Sequence, residues 1–198
     1  MTRTTRYKAV YFGILASGVT AGLGAFTYFR PPLVIVVAAV LIALIPGRVL
    51  GFFWRDLLRG LRLLNSREYA ASKICSERFL ERIRNNPWIK HLIWLGTSSY
   101  SRDPEVLALN NLGAAELMLG EVDAARRHLM RASALDPLCP LPYFNLGVLE
   151  KAEGHLDEAQ RLLAQAVKLG YTRGVSDKIV SAAQSRLAIT DGAGHPKA

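Results

Sequence analysis

PEVLALNNLGAAELMLGEVDAARRHLMRASALDP (residues 104–137) runs directly into LCPLPYFNLGVLEKAEGHLDEAQRLLAQAVKLGY (138–171), and the second stretch rewrites the first. Asn111-Leu112-Gly113 returns as Asn145-Leu146-Gly147. Gly120 returns as Gly154, Ala125 as Ala159, Leu129 as Leu163, Ala132 as Ala166 and Leu135 as Leu169. Every offset is 34 residues, and a fixed period of that size marks stacked supersecondary units. Within the first copy, Leu109, Leu112, Leu117 and Leu119 lie roughly at helical spacing, and Gly113 leaves room for a close neighbouring helix. Gly120 ends that helix, because a residue without Cβ tolerates the left-handed C-terminal position. Asp123 suits the start of a second helix. Ala125, Leu129 and Ala132 form its inner stripe, and Asp136-Pro137 stops it. The second copy follows the same plan through Leu146, Leu149, Gly154, Ala159, Leu163 and Ala166.

The period, the Leu-Gly of the first half and the Ala-x3-Leu-x2-Ala of the second resemble the tetratricopeptide repeat. The resemblance covers residues 104–171. It departs from the family at Tyr171, where a closing proline is usual, and at Glu116 and Glu150, where tyrosine is frequent. It implies antiparallel helix pairs stacked into an all-α solenoid. It also implies that the first helix of each pair lines a groove for a peptide or helix of another protein. Transferred to this chain, the groove residues are Leu107, Asn110, Asn111, Ala114 and Leu117, then Leu141, Phe144, Asn145, Val148 and Lys151. Some members clamp a terminal carboxylate with Lys, Arg and Asn. Asn111 and Asn145 stand at such positions, but the basic partners are absent, so an apolar groove with Phe144 as its anchor is expected.

The first 54 residues have another character. The chain is 51% hydrophobic with a mean hydropathy of +0.17. Residues 9–29 carry no charge, a length that as a helix spans roughly 30 Å, the core of a bilayer. A second apolar run comes after Arg30-Pro31-Pro32. The expected architecture is a transmembrane hairpin with spans of about 9–29 and 32–53. A secretory signal peptide and a buried core hairpin are the competing readings, and the length of the first run together with the second run disfavours the former. Gly13-x3-Ser17 and Gly18-x3-Gly22 are small-x3-small spacings suited to close packing of the first span.

Residues 55–65 set Leu57, Leu58, Leu61 and Leu64 against Arg55, Arg59 and Arg62, which reads as a basic amphipathic linker helix lying on the membrane or bridging to the repeats. Nine of the 25 Lys/Arg but one of the 16 acids fall within residues 1–67, so +8 of the chain's +9 sits there. The basic balance therefore belongs to membrane flanks and not to a nucleic-acid face. Only Arg30 lies between the two runs. The positive-inside rule then places both termini in the cytoplasm of a multi-pass protein, in a bacterial-type inner membrane.

Residues 66–103 are expected to hold one degenerate repeat, with helices over 68–84 and 88–100. A shift of 34 places Asn86 at the Gly120 position and Leu95 at the Leu129 position. Residues 172–190 are expected to cap the solenoid from Ser176 or Asp177 to about Ala188, and 191–198 form a Gly-rich tail. Cys75 and Cys139 lack CxxC spacing and read as free thiols. The four histidines form no ligand motif, and neither a phosphate loop nor a nucleophile elbow is written locally. The sequence thus reads as a non-enzymatic protein without metal or cofactor. Two functions remain open: a membrane-anchored adaptor that binds a partner protein in its groove, or a structural or assembly subunit whose hairpin makes the main contacts.

Overall fold

The computed structural model describes residues 51–95, 100–101, 103–172 and 181–185, with isolated positions between 10 and 49. The described residues form helices and no strands. We number the main helices α1 (Arg55–Asn65), α2 (Tyr69–Asn85), α3 (Pro104–Leu119), α4 (Val122–Leu135), α5 (Pro140–Glu153) and α6 (Leu156–Lys168). A 3-10 helix, Pro87–Leu95, lies between α2 and α3. Consecutive helices pair as α1/α2, α3/α4 and α5/α6, and each hairpin packs on the next.

The helix pairs at 104–137 and 138–171 follow from their glycines. A Cβ on Gly113 would sit 2.6 Å from Leu129 Cγ and 3.1 Å from the Ala125 carbonyl oxygen. On Gly147 it would sit 2.7 Å from Leu163 Cγ and 3.3 Å from the Ala159 oxygen. Both turns close in one way. Gly120 and Gly154 take φ of 83° and 89°, and the next residue's N–H reaches back to the Glu116 or Glu150 carbonyl at 2.9 Å.

The first hairpin differs from the expected arrangement. The degenerate repeat is not 68–84 paired with 88–100, and α1 is not a linker. Instead α1 pairs with α2, at an offset of 53 residues from the second hairpin. Gly60 takes the place of Gly113: a Cβ there would meet Ser72 O at 3.5 Å, Cys75 Cβ at 3.4 Å and Ser76 Oγ at 3.3 Å. The spacing from the glycine to the facing carbonyl, Ser72, Ala125 or Ala159, is the same in all three hairpins. Glu68 N–H reaches Leu63 O at 2.9 Å, again as in the other turns. The residue at the Gly120 position is Arg67, with φ 65°. The 3-10 helix is therefore an insertion between the first two hairpins. Ile89 buries into the core there, Lys90 pairs with Glu105, and Ser101 Oγ donates to Asp136 Oδ2 at 2.8 Å.

A left-handed conformation costs an L-residue with a Cβ about 1–2 kcal/mol that glycine avoids. We therefore expect Arg67→Gly to stabilise the chain by about 1 kcal/mol in thermal unfolding. A neutral or destabilising result would show that the Arg67 side chain compensates for its backbone.

No helix among the described residues is long and apolar enough to cross a membrane. The spans expected at 9–29 and 32–53 lie, apart from scattered positions and residues 51–53, outside the described residues. Gly13, Ser17, Gly18 and Gly22 are helical and exposed, and a Cβ on any of the three glycines meets nothing within 4 Å. The surfaces on which these small residues are expected to pack lie, apart from scattered positions, outside the described residues. The expected cap is described only at 181–185, which is helical, with Ala183 buried beside Phe144 and Leu149. The expected tail, 191–198, lies outside the described residues.

Candidate functional site: the strip of first helices

The first helices α1, α3 and α5 sit next to one another, and Asn145 Nδ2 on α5 donates to Asn110 Oδ1 on α3 at 2.8 Å. This bond fixes the register of the two helices and satisfies two amides in a partly buried site. All ten expected groove residues lie on these facing helices. Leu107, Ala114, Leu141, Asn145 and Lys151 are half-buried. Asn110, Asn111, Leu117, Phe144 and Val148 are buried.

Phe144 is the main departure from an open groove. It is 8% exposed and belongs to one cluster with Leu117, Val148, Leu149 and Ala183. Tyr171 stacks on it with ring centroids 4.3 Å apart. Its counterpart in the previous hairpin is Asn110, which faces the next first helix. Phe144 likewise faces the C-terminal neighbour of its own hairpin, so it is a packing residue between units of the stack. The accessible part is a narrower strip, Leu107 and Ala114 on α3 with Leu141, Asn145 and Lys151 on α5. The 53-residue offset extends it onto α1 through Leu58 and Leu61, which are 42% and 43% exposed. Sequence reasoning missed these two because nothing in residues 55–65 alone marks α1 as a first helix.

The edges between hairpins are held by ion pairs that the sequence did not announce. Lys73 on α2 pairs with Glu121, and Arg126 on α4 pairs with Glu150 and Glu153. Lys73 and Arg126 are 53 residues apart, so they occupy one repeat position and each bridges to the next hairpin. The hydrogen bond to Glu121 holds the Lys73 ammonium above its usual value. Glu150, Glu153 and His155 bring potential metal ligands within 4.8 Å of one another, but the Arg126 guanidinium already lies on both carboxylates. Burial pushes the Cys139 thiol up to about 12, which makes it a poor nucleophile in the folded chain.

Glu116 is 2% exposed and lies 2.7 Å from His128 Nδ1. Burial raises its carboxyl above the ordinary 4.5, and the lowering effects of His128 and Lys73 are smaller. The folded chain therefore holds this proton to a higher pH than the unfolded chain does. Glu116's contribution is fully present below about 4.5 and is lost as pH rises through the raised value. Relative to wild type, Glu116→Gln should gain stability as pH climbs from 4.5. A difference in melting temperature that stays constant with pH would contradict this.

No known protein family, curated protein or solved structure matches the chain.

Proposed function

We propose that this chain is a membrane-anchored adaptor of the tetratricopeptide type. In this reading the apolar runs at 9–29 and 32–53 form a two-span hairpin with both termini cytoplasmic, in a bacterial-type inner membrane. The stacked hairpins project from it and hold a segment of a partner protein along the strip of first helices. The observation that carries the reading is the threefold repetition of one glycine-spaced hairpin, whose first helices lie side by side and leave Leu58, Leu61, Ala114, Leu141 and Asn145 accessible. A stack of this kind offers an extended surface for another chain. The strip is mainly apolar, with the Asn145 amide and Lys151 on α5, and suits the apolar side chains of a helix or strand.

Site-specific photo-crosslinking in the full-length chain tests this. Crosslinkers at Leu61 and Ala114 should trap the same discrete protein, and a crosslinker at the exposed Met130 of α4 should not. If adducts form only from positions in the apolar runs, such as Ile14 and Val37, the adaptor reading fails. The runs would then make the main contacts, as in a structural or assembly subunit of a membrane complex.

A further inference from the structure

We propose that Arg55, Arg59 and Arg62 seat the first hairpin on an anionic lipid surface. The stripe stands where the other hairpins have a stacking face. The 53-residue offset maps it onto Ala108, Leu112 and Ala115 of α3, and a further 34 onto Pro142, Leu146 and Leu149 of α5. All six are buried, and Ala108 packs against Trp54, Leu57 and Phe79 of the preceding hairpin. In α1 the same three positions are exposed arginines, so the stack ends here.

Ending a solenoid requires only a polar outer face, and mixed charges meet that need. On α1 the exposed stripe carries one sign, and exposed Glu68 follows it only at the start of α2. The sole acid of α1, Asp56, is 7% exposed and bound to Arg82 at 2.7 Å, while Arg55 approaches it only at 3.9 Å. Spacings of four and three residues hold the arginines on one side of the helix over roughly 10 Å. Arg67 adds a fourth exposed cation at the end of α1, in a left-handed conformation that the other turns give to glycine. Strain kept at one position points to a role for its side chain. At the other end Phe52 and Trp88 are 68% and 49% exposed, and Phe53 packs edge-on to Trp88 at 4.9 Å. Aromatic rings beside arginines suit a membrane–water interface.

The arrangement inverts what residues 55–65 suggest in isolation. Leu57 is 4% exposed and lies in the protein core, so α1 offers the bilayer its arginines and keeps that leucine inside. The inference rests on the membrane-anchored reading, because α1 begins directly after the second apolar run and the tether brings it to the headgroups.

The test uses the full-length chain with Leu58→Cys, beside the stripe, labelled with a polarity-sensitive dye. Cys75 and Cys139 are buried. The chain is reconstituted in phosphatidylcholine vesicles with and without phosphatidylglycerol. The dye should shift to the blue only with phosphatidylglycerol. The shift should vanish in the Arg55→Gln, Arg59→Gln, Arg62→Gln variant, survive the corresponding lysine variant and weaken as salt is raised. Identical spectra in both vesicles, or a shift that the glutamine variant retains, would overturn the proposal. So would an equal shift when inorganic phosphate replaces phosphatidylglycerol. Failure of the tether reading is seen separately, as a chain that does not float with neutral vesicles at high salt.

Discussion

Gly113→Leu should be among the most damaging single substitutions in the repeat region, lowering stability by about 3 kcal/mol, the upper part of the overpacking range. A bare Cβ already falls 2.6 Å from Leu129 Cγ and 3.1 Å from the Ala125 carbonyl oxygen. Leu129 is fully buried, and the carbonyl belongs to the α4 backbone, so relief requires the two helices to separate. Domains are stable by only about 5–15 kcal/mol, so the change is large. The hairpins should also rank. Gly113→Ala and Gly147→Ala should each cost more than Gly60→Ala, where the nearest atoms stand at 3.3–3.5 Å. Thermal unfolding of the full-length variants, followed by helical circular dichroism, measures the series. An unchanged midpoint for Gly113→Leu would show that α3 and α4 do not pack through this glycine.

Phe79→Ala should cost about 3–5 kcal/mol, as expected for truncating a large buried aromatic. Phe79 is fully buried and gathers Trp54 and Leu57 before and within α1, Ile83 of α2, Ile89 of the 3-10 helix and Ala108 of α3. The loss should be local first. In a stack, each hairpin feels chiefly its neighbours, so amide exchange should accelerate most over 55–85 and least over 156–168. Equal acceleration throughout would mean that the hairpins open only together.

The two 34-residue copies were legible because each carries its full set of contacts in one short window. Gly113 and Leu129, or Gly147 and Leu163, are close in sequence and meet directly. The first hairpin hid because it keeps only the glycine, Gly60, and the markers around it are altered. Gly60 follows Arg59 where the others have leucine, Ser76 replaces Leu129 and Arg67 replaces Gly120. The inserted 3-10 segment moves the register from 34 to 53. Alternating leucine and arginine suits either a free linker helix or the first helix of a hairpin, and only the contacts of Leu57 and Gly60 place α1 against α2. The groove was half legible for a similar reason. A first helix has two apolar sides, and sequence does not say which one the next hairpin covers. Leu117, Phe144 and Val148 proved to be on the covered side. The Lys73–Glu121 and Arg126–Glu150 pairs join separate hairpins and leave no local spacing to read.

That α1 is the first helix of a threefold stack is tested most directly by one substitution. A Cβ on Gly60 would lie 3.4 Å from Cys75 Cβ, close to the separation found across disulfides. Gly60→Cys in the otherwise native chain should therefore oxidise to a bond with Cys75. Peptide mapping should find the α1 and α2 peptides joined, with Cys139 left as a thiol. If the introduced thiol and that of Cys75 both remain free under oxidant while the chain stays folded, α1 does not lie against α2, and the threefold stack is wrong.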